Sequence, residues 1–288
     1  MKTVKGLHEK MGTFENANTS FHQAARCKRY TNEVLAFSMV KEEELLRATE
    51  EIQNLTYRQG EYKIFKVFEP KERLIMALPF YDRVVQHMIC NAIQPVFENG
   101  FYYHSYACRS GKGMHAASDT LYQWMYETEV KQGLRMYAFK GDISKYFASI
   151  PHDKLKDENR HYIGDKKALM LMDDIIDHNG ILPDGVGIPV GNLTSQLFAN
   201  VYGNKLDKFC KHVLHIPYFV RYMDDFIILS DDLEQLKEWV KRIEEFLENE
   251  MLLHINPKST ILYAGNGIDF CGYIHLSLIH ISEPTRPY

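Results

Sequence analysis

The 288-residue chain lacks any apolar run of about 18 residues, the length a membrane-spanning helix requires. It also lacks a basic-then-apolar leader in Met1-Lys2-Thr3-Val4-Lys5-Gly6-Leu7-His8, so neither membrane insertion nor export is expected. Cysteine is sparse. Cys27, Cys90, Cys108, Cys210 and Cys271 are odd in number, scattered and without a C-x-x-C pair. That argues against a disulfide framework and a zinc ribbon and fits a reducing cytoplasm. The histidines show no H-E-x-x-H or paired spacing suited to zinc, and the absence of a Gly-rich P-loop with its Lys-Ser/Thr weakens a nucleotide-hydrolase reading. Neither sign of charge is in large excess: the formal charge of −4 gives no global sign of nucleic-acid binding, which leaves local basic clusters to carry it. Internal repeats and low-complexity tracts are missing too. What remains is a globular chain, nearly half apolar, with enough residues for one large core or two modest ones.

The stretch with most chemistry is Tyr218-Phe219-Val220-Arg221-Tyr222-Met223-Asp224-Asp225-Phe226-Ile227-Ile228-Leu229. β-branched and aromatic residues on both sides predict two strands, with the acidic pair at the turn between them. Two adjacent carboxylates in so apolar a run are costly to desolvate bare, so they are held at an edge open to water or neutralised by a cation. An ordinary Asp-rich hairpin turn is the plainer alternative. Met172-Asp173-Asp174, by contrast, lies in a segment of helical composition without β-rich flanks, and its acids read as a solvated helix face.

Elsewhere, helices are expected up to about Asn54, with a small basic group at Arg26, Lys28 and Arg29. Glu61 to Glu69 alternates charged and apolar residues as a half-buried strand that Pro70 ends, with Lys63 and Lys66 on opposite faces. A helix follows from Pro79. Gly100 to Gly113 is a loop of interleaved Tyr, Arg, Lys and Gly, suited to phosphates and stacked bases or simply to an ordinary surface. A strand from Arg135 leads through Gly141 to Asp142, an acid placed at a strand end or, alternatively, a helix N-cap. Asn179 to Gly191 is a Gly- and Pro-rich loop entering a helix near Asn192. After the acidic hairpin, Ser230 or Asp231 is expected to cap a helix with Leu233, Leu236, Val240, Ile243 and Leu247 at helical spacing. Asp142, Asp224 and Asp225, from two strand ends, could together hold two hard divalent ions for phosphoryl transfer.

Tyr222-Met223-Asp224-Asp225 resembles the Y-x-D-D signature of reverse transcriptases, and the resemblance runs in order from about Phe65 to His275. Asp142-Ile143-Ser144-Lys145-Tyr146-Phe147 is similar to the family's first palm motif. By resemblance, Asp142, Asp224 and Asp225 are catalytic and metal-binding, with the Ile143 carbonyl as a further ligand; the metal is two Mg²⁺ ions, which Mn²⁺ can replace. Phe147 would be the steric gate under the sugar, beside a nucleotide pocket of Tyr222, Met223, Val190, Gly191 and Gln196. Arg73, with Lys66 second to it, would grip the triphosphate, and Lys258 would protonate departing pyrophosphate. Arg109 and Lys112 resemble template contacts, and Phe270, Gly272 and Tyr273 the primer grip.

One departure narrows the resemblance. Where intron, retron and retroviral enzymes carry Gln-Gly-x-x-x-Ser-Pro, this chain has Val190-Gly191-Asn192-Leu193-Thr194-Ser195-Gln196, which resembles enzymes of diversity-generating retroelements that err at template adenines. The resemblance implies an α+β right-hand polymerase: fingers over 1–134, and over 135–275 a palm with an antiparallel sheet flanked by helices and a helical insertion at about 151–186. Residues 276–288 look like a translated sequencing-adapter tail, which implies a missing thumb. The implied partners are template RNA, primer and cDNA, dNTPs and a small basic accessory protein, with no membrane. A retron or group II intron-type enzyme, or a catalytically silent RNA-binding relative, is the alternative.

Overall fold

The structure is a computed structural model describing residues 3–69 and 71–276, the side chains of Glu69, Lys71 and Arg73 excepted. The expected adapter-derived tail therefore lies outside the described residues, apart from Leu276. In chain order the helices and strands are α1 (Leu7–Met11), α2 (Phe14–Ala24), α3 (Asn32–Met39), α4 (Lys41–Gln53), β1 (Lys63–Glu69), β2 (Lys71–Ala77), α5 (Phe80–Glu98), α6 (Met114–Met125), β3 (Tyr137–Asp142), α7 (Tyr146–Ser149), α8 (His152–Tyr162), α9 (Lys166–Asp177), α10 (Leu193–Lys208), β4 (Tyr218–Tyr222), β5 (Asp225–Ser230), α11 (Leu233–Glu250), β6 (Thr260–Tyr263), β7 (Ile268–Phe270) and β8 (Tyr273–His275). Among the described residues no helix is long and apolar enough to cross a membrane.

The chain divides into two compact units, one of residues up to Gly100 with Phe147–Tyr202, the other of Phe101–Tyr146 with residues from Gly203 onward. The 101–134 segment, expected as part of the fingers, falls in the unit that holds the strands after it. In the first unit α1, α2 and α3 pack on α5. Pro79 precedes that helix, and Val84, Val85, Met88 and Ile89, three and four residues apart, are buried along it. Phe21, Phe37 and Phe80 close the core with ring centroids 5.1 to 6.0 Å apart. β1 and β2 form an antiparallel hairpin in which Val67 faces Arg73. On α9, Asp174 is exposed as expected but Asp173 is half-buried, and each has a cation: Arg58 at 3.5 Å and Arg160 at 2.5 Å.

The second unit is built on a fully antiparallel sheet in the order β4-β5-β3-β6. β5 is buried on both faces after its first residue, which explains the unbroken apolar run Phe226 to Leu229. One face meets α6 through Val220, Ile227, Leu229 and Ala138 against Leu121 and Met125. The other meets α11, whose Leu236, Trp239, Ile243 and Leu247 are buried at helical spacing. The cap of α11 is Asp232, whose carboxylate accepts from the Glu234 and Gln235 amides at 2.9 and 3.1 Å. Ser230 and Asp231 do not cap it, since Ser230 still pairs with Tyr137 in the sheet.

Gly141 sits opposite Phe226, and a Cβ there would overlap the Phe226 ring. That ring is fully buried, edge-on to Phe139 and tilted against Phe219, so it has nowhere to move. Gly141→Ala should destabilise the protein by about 1–3 kcal/mol, as overpacking of a filled core does; a denaturant midpoint unchanged from that of the unsubstituted chain would contradict this.

Candidate active site

The acids converge because of the sheet register. β4 and β5 are joined by the two-residue turn Met223-Asp224, and Asp225 opens β5 directly opposite Asp142, the last residue of β3. The Ile143 amide donates to the Asp224 carbonyl at 3.2 Å and ties the third acid to the same place. Met223 is left-handed, at φ 59°, which costs a non-glycine residue roughly 1–2 kcal/mol and turns the chain tightly enough to place acids on consecutive residues. Like charges directly opposed across strands repel. Burial first, then Asp224 and Asp142, push the Asp225 carboxyl up to about 6, against the opposing pull of Lys140. Lys140 shares the face of Asp142 and bonds Asp269 at 3.0 Å.

Asp142 is enclosed by the loop that carries Lys258, a contact that sequence reasoning missed. The Asn256 amide side chain donates to its Oδ2 at 2.5 Å, the Asn256 backbone N–H to its carbonyl at 2.7 Å, and its own N–H donates to Ser259 Oγ at 3.0 Å. A short antiparallel bridge, Ile143 with Ile255, and the bond from the Ser144 amide to the His254 carbonyl extend the contact. The available signal was Asn256-Pro257, a turn-forming pair ahead of the β6 strand. Lys258, expected as a proton donor, is exposed on this turn, its amide bonded to Asn256 Oδ1 at 3.1 Å.

Among the described residues no three His, Cys, Asp or Glu side chains form a ready-made metal-ligand set. The donor chemistry still fits a hard divalent cation. Three carboxylates meet at adjacent strand ends, and one resists ionisation through burial first and its neighbours' charge second, both of which a bound cation would offset.

The remaining expected residues fall into two groups. With the acids in the second unit are Ile143, Tyr222, Met223, Lys258, Arg109, Lys112, Phe270, Gly272 and Tyr273. Phe270 has its side chain in the core with Ile268 and Ala138, so only the backbone of its turn is open. Its hairpin turns through Cys271 and Gly272, both left-handed, and Tyr273 is exposed with its hydroxyl 3.0 Å from His115 Nδ1. Arg109 donates to the Tyr102 and Ser105 carbonyls at 2.7 Å, and Lys112 sits 3.5 Å from the Tyr103 ring centre, so both brace the 100–113 loop. In the first unit, the Met76 amide donates to the Val190 carbonyl at 3.1 Å and the Ile188 amide to the Phe147 carbonyl at 2.8 Å. This gathers β2, which carries Arg73, with Phe147, Val190 and Gly191. Gly191 and Gln196 line a cleft of about 250 Å³ with Arg26, Lys28 and Arg83. Lys66 is paired on the surface with Glu72 at 2.8 Å.

Residues 66–275 match the family described as reverse transcriptase (RNA-dependent DNA polymerase). Protein YkfC of Escherichia coli is 24% identical over 67% of this chain and 60% of its own length. The uncharacterized 91 kDa protein in cob intron of Schizosaccharomyces pombe is 29% identical over 46% of this chain and 16% of that protein. Among solved structures, apo telomerase from Candida tropicalis truncated from its C-terminal domain superposes with a TM-score of 0.55 at 15% identity, covering 77% of this chain and 54% of that one. The chain thus spans less than two thirds of the length of these relatives. The shared fold is the α+β fingers and palm of a right-hand polymerase.

The raised Asp225 predicts a pH effect on stability. Between the ordinary carboxylate pKa near 4 and about 6, the folded chain binds more protons than the unfolded one, so metal-free stability falls as pH rises through that window. Asp225→Asn removes the titration. In metal-free buffer its melting temperature relative to the parent should climb from pH 4 to pH 7, and a constant difference would contradict the assignment.

Proposed function

The chain belongs to the reverse transcriptase family, and from that premise we propose that it extends a primer 3′-hydroxyl with dNTPs on an RNA template by two-metal phosphoryl transfer. The observation that carries the reading is the register that sets Asp142 against Asp225, with Asp224 on the adjoining turn, inside the family's matched span. Asp142 and Asp224 would be the principal ligands of Mg²⁺, or of Mn²⁺ in its place, with Asp225 in support and the Ile143 carbonyl as a further donor. Bound there, the ions would stabilise charge on the attacking and leaving oxygens. The chain's own part is to hold the carboxylates: Asn256 orients Asp142, and the β4-β5 turn orients Asp224. Lys258, exposed on the loop that grips Asp142, would supply a proton to departing pyrophosphate.

The dNTP would be received by the residues gathered in the first unit. Phe147 would exclude a 2′-hydroxyl and Arg73, on β2, would hold the triphosphate, with Lys66 supporting it; Val190, Gly191 and Gln196 would shape the pocket there, and on the acidic hairpin of the second unit Tyr222 and Met223 would be further nucleotide contacts. Arg109, Lys112, Gly272 and Tyr273 would lie along the template and primer. We assign the chain to a diversity-generating retroelement on Val190 and Gln196, which stand where the Gln and Pro of other reverse transcriptases stand. Such an element would supply a small basic accessory protein in the cytoplasm. The intron-encoded relative favours a second reading, an intron-type enzyme.

Primer extension on an RNA template with Mg²⁺ separates a polymerase from a silent RNA-binding relative. Asp142→Asn and Asp224→Asn should each lower the rate far more than tenfold, since tenfold corresponds to only about 1.4 kcal/mol and loss of a metal site costs several. Near-parental rates in either variant would remove the assignment.

The subtype is read from errors. Misincorporation concentrated opposite template adenine, and reduced by Val190→Gln, is expected of the retroelement enzyme, because a polar group bonded only in the correct geometry penalises mispairs. Errors even across the four bases, and indifferent to Val190→Gln, would favour the intron-type reading.

A further inference from the structure

Arg221 is the one cation in the apolar run that precedes the acids, and its side chain is wholly buried. Its Nε and Nη2 donate to the two carboxylate oxygens of Asp207, on α10, at 2.6 and 2.8 Å. Nη2 also meets Ser105 Oγ at 3.0 Å, and Nη1 donates to the Met223 carbonyl at 2.8 Å. The Arg221 backbone is fixed as well: its amide donates to the His104 carbonyl and its carbonyl accepts from the Tyr106 amide, each at 3.0 Å. One guanidinium thus joins a helix, a loop and the left-handed residue of the acidic turn.

The helix is shaped to admit it. Gly203 lies one turn before Asp207 on α10, and a Cβ at that position would stand 2.6 Å from Arg221 Nη1 and 2.9 Å from the Tyr146 hydroxyl. Any larger residue would push the guanidinium from its place. A buried ion pair of this kind is weak evidence for stability, because desolvation of both charges offsets their attraction and a well-packed apolar pair is often as good or better. The feature an apolar pair could not reproduce is the directed bond to the Met223 carbonyl. Arginine's planar fork can satisfy Asp207 with one edge while aiming Nη1 at the turn; a lysine ammonium cannot do both.

We propose that Arg221, oriented by Asp207, is a positioning residue that fixes the Met223-Asp224 turn and through it the placement of Asp224 and Asp225. The pair serves the geometry of the site and not the stability of the fold. The proposal deepens the polymerase reading and rests on it for its rate measurement only.

The deciding variant is Arg221→Met combined with Asp207→Leu, which removes both charges and keeps apolar volume; Arg221→Lys is its companion. The expected result is a melting temperature at or near that of the parent for the double variant. Backbone amide exchange over residues 222–226 should be faster by about tenfold in both variants. The extension rate at saturating dNTP should fall by about tenfold or more, with KM for dNTP unchanged, since misplaced groups slow the chemical step. A folded double variant with parental exchange and rate would overturn the proposal. So would failure of both variants to fold, which would make the pair a stability element. If the parent itself extends no primer, the polymerase reading fails by itself, and exchange over 222–226 still decides whether Arg221 holds the turn.

Discussion

Mutual repulsion among Asp142, Asp224 and Asp225 is the constraint that the second unit answers. Carboxylates left to themselves would separate, and here the means of separation are removed one at a time. The β3-β5 register sets Asp142 and Asp225 face to face, a core filled on both sides of the sheet prevents slippage, and the two-residue turn denies Asp224 any room. A one-residue slip of β5 would send Phe226 and Ile228 to the other face and bury Asp225 in their place, so the apolar run after the acids maintains the acidic cluster. The energy that holds like charges together comes from apolar burial several residues away.

The elements easiest to read in the sequence were those whose pattern is local. The acidic hairpin, the strand ending at Asp142, the helix from Pro79 and the amphipathic α11 are each announced by periodicity or by a β-rich run, and each is found where expected. The cap of α11 was misplaced by one or two residues because Ser230, Asp231 and Asp232 are all good capping types; the pairing of Ser230 with Tyr137 and the amide bonds to the Asp232 carboxylate decide among them. The division into compact units was not legible, since it depends on segments far apart in sequence finding the same core. The burial of Phe270 was not legible for a related reason: a motif resemblance marks a position, but the tertiary core decides whether the side chain or only the backbone is presented.

The partners of the acids were harder still. Nothing near Asp142 in the sequence points to Asn256, 114 residues away, and Arg221 read as one polar residue in a strand. Both are polar side chains whose meaning lies in directed hydrogen bonds to other elements, which composition and spacing do not encode. Resemblance to a family locates the groups that do chemistry better than the groups that hold them.

The loop from Met251 to Ser259 has a further consequence. Connections on a protein surface are ordinarily where length varies between relatives. Here the backbone from His254 to Asn256 follows Asp142 and its two successors, and the Ser259 hydroxyl meets the Asp142 amide, before the chain enters β6 beside Lys140. One added residue would carry Asn256 past its carboxylate while leaving every strand of the sheet intact. Descendants of this chain can therefore vary the chemistry of the exposed positions in that loop, but not their number.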